Sequence, residues 1–562
     1  MEKKEKFYQK WYFKTILFLI LSMTLILALN NNEKNKDYYD KLHNSLSLYN
    51  KTYKKLITNY VDPINPEKLT EQSINNLTDK LDPYTTLLNK RQKKSVEQLS
   101  EGKYGGIGVR ITIRNDTVTA VAPMEGGPAI RAGIQPGDQI LKVDSIETKG
   151  MALSKVSETI RGKKGTKVKL TIKRPGVSGT TVYELTRASI NIPKISYSGM
   201  VNDSVGYIKM SRFSKGAAQE FAKSVKKLSQ NNSGFSKLIF DLRMNPGGLL
   251  REALGIAEMF IPPGDTLLFT KGRTDRANRV IKAHRQPIIN SDMELAVLIN
   301  NGSASASEIV AGIIQDYDRG LVIGRRSFGK GLVQRVIELD KKHSLKLTNA
   351  KYYIPSGRCV QKPGFIKNKD LVVEKGQKDS VYYTKNGRKV IGGGGIKPDI
   401  TVKQEDYSGF RYTAFLVSKN IPYNFAIKYK TTHDTIPDYD KIGEKIVNDF
   451  KEYVAKQDVE YEYKNEKKLQ KIEKSLSKKD DISFQEDTFQ KIYSQYNQKR
   501  ENEFEENRKM IKRQLEEEFA TLKGGSELMI EATLKYDNVI SRTLKALKKR
   551  QEYDTVLGFS GK

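Results

Sequence analysis

Cysteine is almost missing from this chain of 562 residues: Cys359 stands alone. A lone thiol excludes an intramolecular disulfide framework and a cysteine-rich metal site. No histidine lies close to it in sequence, so Cys359 reads as a packed residue rather than a nucleophile. Histidine is nearly as scarce, with four in all, His43, His284, His343 and His433. Negative charge is short as well, with 66 Asp and Glu against 98 Lys and Arg, a formal net charge of +32. An excess of that size raises nucleic acid or an anionic membrane as partners. It is spread along the chain, however, and no basic helix or aromatic-interleaved patch stands out, so nucleic acid is set aside. Apolar residues make up 38%, enough for globular units, and the length exceeds one core, so three or four domains are expected.

One long apolar run is present, TILFLILSMTLILAL at Thr15 to Leu29, behind a basic start with Lys3, Lys4, Lys6, Lys10 and Lys14. That order is the order of a signal sequence or an N-terminal membrane anchor. Trp11, Tyr12 and Phe13 sit at one edge, where aromatics favour the interface, and with them the run approaches the length that spans a bilayer. Ala28-Leu29-Asn30 is a poor cleavage site. The reading is therefore an uncleaved anchor over residues 11–29, with a cleaved signal and a soluble periplasmic protein as the alternative. Either way the positive-inside rule places the rest outside the cytoplasm, in the bacterial periplasm.

The chemistry concentrates between Leu295 and Gln334. Ala296 to Ile299 is a short apolar run with the size of a buried strand, Asn300 to Gly302 break it, and EIVAGIIQ has helical spacing with Glu308 in an acidic first turn. A strand thus turns sharply into a helix with Ser303, Ser305 and Ser307 on the turn. A helix start offers free N–H groups and partial positive charge, which favour a developing oxyanion. A serine nucleophile needs a base, and no histidine falls in this stretch. Lys330, between two glycines in SFGKGLVQ, does. Desolvation of such a lysine favours its neutral amine, which can accept the serine proton. Ser–Lys pairs are a known variant of the serine–base arrangement. Gln334 lies four residues on; a helical turn would bring it beside Lys330, whereas an extended strand would hold it roughly 13 Å away, which implies a bend at Gly331 if both act together.

GSASASEIVAG followed by FGKGLVQ resembles the carboxyl-terminal processing peptidases, also called tail-specific proteases. The resemblance implies Ser305 as nucleophile, Lys330 as base and Gln334 as the group that orients Lys330; the 25 residues from Ser305 to Lys330 match the family's separation. Ser303 and Ser307 are expected to cap the helix and shape the turn. The phrase DLRMNPGG at 241–248 is similar to the family's oxyanion loop. It implies Gly247 or Gly248, together with Ala306, as backbone donors, while Asp241 and Arg243 read as an ion pair that fixes the loop. Met244 stands where relatives often carry a polar residue. DPYTTLLN at 82–89, NAKYYIPSGRC at 349–359 and GGGGIKPDITV at 392–402 extend the resemblance over roughly Asp82 to Val402.

The fold expected is α+β and multidomain: a signal sequence or membrane anchor (1–30), a small helical region (31–100), a PDZ domain (101–187), an α/β peptidase core with a strand–turn–helix nucleophile site (188–402), and a charged helical C-terminal extension (403–562). GPAIRAGIQPGDQIL is similar to PDZ sequences, which capture extended peptides by adding a strand to a sheet edge. YGGIGVRI reads as a glycine-rich loop and a strand, with Gly105, Gly106, Ile107 and Gly108 as candidates to hold a terminal carboxylate. The extension, broken at Gly524-Gly525, reads as helices packed on the core or a partner, or as a solvated appendage with no separate activity. The function expected is a serine endopeptidase that needs no metal or cofactor and takes the carboxyl termini of protein or peptide substrates, with a regulatory protein or self-association as a further possibility. The alternative is a non-catalytic PDZ peptide-binding scaffold on a peptidase-like fold.

Overall fold

A computed structural model describes residues 37–368, 380–406, 408–457, 459–476 and 486–559. The anchor or signal read at residues 1–30 lies outside them. Among the described residues no helix is long and apolar enough to cross a membrane. The chain divides into two compact units, residues 1–87 and 88–562. The first holds helices α1 (37–59) and α2 (Pro66–Asp79). α2 starts where the sequence supplies start signals: Asn65 caps the Lys68 N–H and Pro66 stands at the first helical position.

The second unit opens on α3 (Lys90–Glu101), which the sequence reading groups with the preceding helices. The Asn89–Gln92 capping box starts it and Gly102, at φ 67°, ends it. There follow β1 (Lys103–Gly106), β2 (Val109–Arg114), β3 (Thr117–Pro123), β4 (Gln139–Val143), α4 (Leu153–Ile160), β5 (Lys167–Lys173), β6 (Thr181–Thr186) and β7 (Ala188–Asn191). Strands β2 to β6 form an antiparallel sheet in the order β2-β3-β4-β5-β6. Period-two alternation in KVKLTIK turns Val168, Leu170 and Ile172 onto its core with Ile140 and Val156. The reading of YGGIG as a free loop is corrected here. Gly105 and Gly106 are strand residues paired with Ser189 and Ala188 in a β1–β7 ribbon, so the loop proper is Ile107 and Gly108. A side chain at Gly105 would run into Gly162 O, so this crossing needs a glycine for packing.

The larger domain contains β8 (Ile195–Met200), β9 (Val205–Met210), α5 (Ala217–Asn231), β10 (Lys237–Asp241), α6 (Leu250–Ala257), β11 (Thr266–Gly272), β12 (Glu294–Ile299), α7 (Ala306–Asp316), β13 (Leu321–Gly324), β14 (Leu332–Glu338), β15 (His343–Tyr353) and β16 (Ile400–Thr401). Its main sheet runs β8-β9-β10-β12-β13-β16, antiparallel at β8–β9 and parallel thereafter. Parallel strands buried on both faces read as continuous apolar runs, as LAVLI in β12 does. α5, α6 and α7 cover one face. The other face is covered by the tail, in which α8 (Ile421–Thr432), α9 (Arg508–Leu534, kinked at Gly524-Gly525) and α10 (Asn538–Lys548) are the helices used below. Ile530, Leu534, Ile540 and Leu547 pack there on Tyr207, Ile239, Leu298 and Ile323. The reading of the extension as a solvated appendage therefore fails for its end, which completes the core.

Candidate active site

In a parallel sheet the loops at the carboxyl ends of the strands form the crevice where ligands bind. Here β10 feeds the DLRMNPGG loop into α6, and neighbouring β12 feeds the serine turn into α7. The two loops are bonded to each other. Asn300 Oδ1 accepts from Met244 N at 2.9 Å and Gly302 N at 3.0 Å. Ser303 Oγ donates to Leu242 O and Ser307 Oγ to Asn245 O, each at 2.8 Å, and both serines are fully buried. They tie loop to loop and do not cap the helix, as the sequence reading has them. The cap position belongs to Ser305, half-exposed, with φ 55° and ψ −112°. A backbone held in so sparsely populated a region costs of order 1–3 kcal/mol and persists where its surroundings over-determine it.

The surroundings here are dominated by Glu308. Its Oε2 accepts from Ser305 N and Lys330 N, both at 2.8 Å, and its Oε1 accepts from Gly329 N and Ser327 Oγ, both at 2.6 Å. One fully buried carboxylate thus joins the serine turn to the FGKG turn. Burial pushes its pKa above the ordinary glutamate value, and the four donors only partly offset that. On the other side Tyr352 OH reaches Ser305 O at 3.2 Å and also donates to Lys330 O. Asp241 anchors the second loop. Burial would raise its carboxyl, but Arg243 at 2.6 Å and Tyr207 OH at 2.6 Å bring it below the ordinary aspartate value. The ion pair read between Asp241 and Arg243 is present.

Ser305, Ala306, Lys330 and Gln334 line one cleft of about 420 Å³ together with Gly248. Gln334 reaches it from the extended strand β14, with no bend at Gly331. Leu332, Val333, Gln334 and Val336 all line the cleft with Lys330 just ahead, and the pairing of β14 with β15 shifts register between Val333 and Gln334. Gln334 Nε2 is buried with no hydrogen-bond partner among the described residues, an arrangement that costs about 1–3 kcal/mol and calls for a reason. Of the two glycines read as oxyanion donors, Gly247 already gives its N–H to Asn245 Oδ1 at 2.9 Å. Gly248 lines the cleft, at φ 151°, and a side chain there would collide with Phe213 O. A larger cavity, about 840 Å³, lies between the β8–β9 turn and α10 and contains none of these residues.

Three family descriptions match the chain: peptidase family S41 over residues 204–371, a PDZ domain over 119–174, and "probable PDZ-protease, C-terminal helical domain" over 412–547. A carboxy-terminal-processing protease of Bartonella bacilliformis is 32% identical over 414 residues, which span 72% of this chain and 92% of the relative. The chain belongs to the carboxy-terminal-processing serine proteases. A probable CtpA-like serine protease of Staphylococcus aureus is 33% identical over 63% of this chain and 71% of its own. Among solved structures, a photosystem II D1 C-terminal processing protease is 26% identical over 63% of this chain and 86% of that one, at a TM-score of 0.35.

For a carboxy-terminal-processing protease the sequence reading passes over three residues that build the site. Glu308 is noted there only as a first-turn acid, yet Ser305-Ala306-Ser307-Glu308 has the S-x-x-E spacing of a capping box, in which the N3 carboxylate reaches back to the cap N–H. Asn245 accepts Ala304 N and Ser307 Oγ on its carbonyl while its side chain bonds Gly247 N and Met210 O; nothing in local sequence marks that role. Tyr352 arrives from β15, and only the sheet brings it to Ser305. Cys359 is buried beside Gly331, and burial raises its thiol pKa, as suits a packed residue.

Proposed function

We propose that this protease cleaves peptide bonds with Ser305 as nucleophile and Lys330 as general base. The observation that supports it is the sharing of one cleft by Ser305, Lys330, Gln334 and the unencumbered backbone of Gly248 and Ala306. Neutral Lys330 takes the Ser305 proton as Oγ attacks the scissile carbonyl, and returns it to the leaving amine. The oxyanion forms against the N–H groups of Ala306 and Gly248, which are fixed before charge develops. Water then attacks the acyl-enzyme with Lys330 again as base. Gln334 orients the lysine by accepting one of its N–H groups on the carboxamide oxygen, which leaves the amine lone pair free for the Ser305 proton.

Substrates enter by their carboxyl termini. β2 is the edge strand of the PDZ sheet, open to strand addition by a peptide, with Ile107 and Gly108 at its start to receive the terminal carboxylate. The protein works outside the cytoplasm, held at the membrane by residues 11–29, on the strength of the basic start and the apolar run that follows it; protease accessibility in intact cells and spheroplasts tests that placement.

The deciding experiment sets the full chain beside Ser305→Ala and Lys330→Ala on an unfolded protein with an apolar carboxyl terminus. Loss of cleavage in both variants, with unchanged melting, is the expected result. A Ser305→Ala chain that still cuts rejects the nucleophile.

A further inference from the structure

The cleft holds two cations, Arg212 and Lys346, that no acidic group among the described residues neutralises. Both line it together with Ser305. Arg212 directly precedes Phe213, whose N–H and carbonyl bond Gly247 O and Leu249 N and so hold the oxyanion loop. Lys346 stands on β15 opposite Val336 of β14, the strand that brings Gln334 to the cleft. Both cations are half-buried, and neither makes an ion pair or a side-chain hydrogen bond among the described residues. Among the described residues no aspartate or glutamate lines this cleft. Other half-buried arginines all have partners: Arg174, Arg243 and Arg388 meet aspartates, and Arg319 and Arg325 meet carbonyl or amide oxygens. A charge withdrawn from water without a partner is costly, and a site that keeps one is built for an anion from outside.

We infer that the cleft selects substrates with a carboxylate close to the scissile bond, held chiefly by Arg212 and secondarily by Lys346. The inference rests on the reading of this cleft as the catalytic one. The guanidinium is the better anchor, because its planar fork takes a carboxylate through two parallel hydrogen bonds, whereas the lysine is a mobile point charge. The other walls, with Val96, Leu99, Leu250 and Ile309, are apolar and strengthen the pairing by excluding water. Two groups supply this chemistry: an aspartate or glutamate side chain flanking the cut, or the terminal α-carboxylate when the cut falls near the end of the substrate.

The test uses the full chain and quenched fluorescent peptides of one sequence, with Glu or Gln placed in turn at each position flanking the scissile bond, each made as free acid and as amide. At one position the Glu peptide should exceed its Gln counterpart about tenfold in kcat/KM, the size of one charge-assisted contact. The ratio should fall to about one in Arg212→Gln, take intermediate values in Arg212→Lys and Lys346→Gln, and shrink with added salt. If the terminal carboxylate is the ligand, the acid-to-amide ratio follows Arg212 in the same way. A terminal preference that survives Arg212→Gln belongs to the PDZ domain and counts against the assignment. The same ratios are read as Kd on Ser305→Ala, so the carboxylate preference is measured whether or not Ser305 is the nucleophile; cleavage by that variant would reject the mechanism alone. A ratio near one in the native chain, or one unchanged in a normally melting Arg212→Gln, overturns the proposal.

Discussion

The turn that carries Ser305 and the surface on which the PDZ domain rests are both held by polar contacts, one set buried and the other half open. At the turn, Glu308, Asn245, Ser303 and Ser307 are fully buried and bond backbone groups of both loops. At the PDZ surface, Arg114 meets Glu518 of α9 at 3.2 Å and Asn420 at 2.9 Å, with its guanidinium 4.8 Å from the centre of the Tyr423 ring. Asn115 meets Asn424 at 3.1 Å and Lys430 meets Gln135 at 3.2 Å, both exposed. Buried bonds of the first kind cost about 1–3 kcal/mol each to break, as does the part-buried Arg114–Glu518 pair, while the exposed Asn115–Asn424 and Lys430–Gln135 pairs contribute a few tenths to about 1 kcal/mol. The difference separates two needs. On the proposed mechanism Ser305 must keep one strained geometry, whereas a PDZ domain that captures substrate, as proposed, must be able to leave its rest position, and weak docking leaves an undocked population within reach.

Glu308→Gln breaks the comparison from its strong side and should have the largest effect. The amide keeps the shape but turns one acceptor oxygen into a donor facing N–H groups of Ser305 and Lys330 or of Gly329. A displacement of about 1 Å at a reacting atom costs on the order of 100-fold, and kcat should fall by at least that much, with KM little changed. Acidification should do the same in the native chain. The folded pKa of Glu308 is raised, so between the ordinary glutamate value and the raised one the native state holds a proton that the unfolded state does not. Lowering pH through that window therefore stabilises the fold by this group while it loosens the clamp. Activity profiles should fall on the acid side ahead of any fall in Tm; a Tm that drops in step with activity would show that general unfolding, not the clamp, sets the limb.

Much of the strong side was legible in sequence because it is local. Ser305, Lys330 and the two glycine motifs lie in short stretches whose small residues already imply tight turns. What escaped was non-local. Tyr352 lies 47 residues from Ser305 and reaches it through sheet pairing. Nor do the charged helices of the tail announce that Ile530, Ile540 and Leu547 cover the far face of the peptidase sheet, because a narrow apolar stripe among lysines and glutamates reads equally as a solvated helix. The opposite error arose at Gly105 and Gly106, where a Gly-Gly pair suggests a loop and the cause is close packing, Gly105 against Gly162 O and Gly106 against the Tyr104 ring.

Arg114→Ala tests the weak side and should have an intermediate effect. Glu518 is 14% exposed, and burial raises its pKa even beside Arg114, so removing the arginine leaves a poorly solvated carboxylate. Docking should weaken by about 1–3 kcal/mol. Hydrogen exchange should quicken along α8 and β2 and stay slow along α7. Faster exchange in α7 would mean that the PDZ domain and the serine turn are one cooperative unit, and the contrast drawn above would fail.

Tyr553→Phe sharpens the comparison with the smallest change, at a buried polar contact far from Ser305. Tyr553 OH accepts from Leu295 N at 3.0 Å and donates to Leu295 O at 3.2 Å, in the middle strand of the peptidase sheet. Loss of the hydroxyl should cost about 1 kcal/mol of stability at neutral pH and leave cleavage unchanged, because it acts on the sheet and not on the turn. The alkaline behaviour identifies the bond. Burial pushes the Tyr553 hydroxyl up to about 12, so between about 10 and 12 the native state keeps a proton that the unfolded state has lost, and its share of the stability declines as pH rises through that window. The phenylalanine variant lacks that decline, so the gap in Tm between the two proteins should narrow from pH 8 to pH 11. A gap that stays constant would place the hydroxyl in contact with water and remove Tyr553 from the buried bonds that hold the sheet.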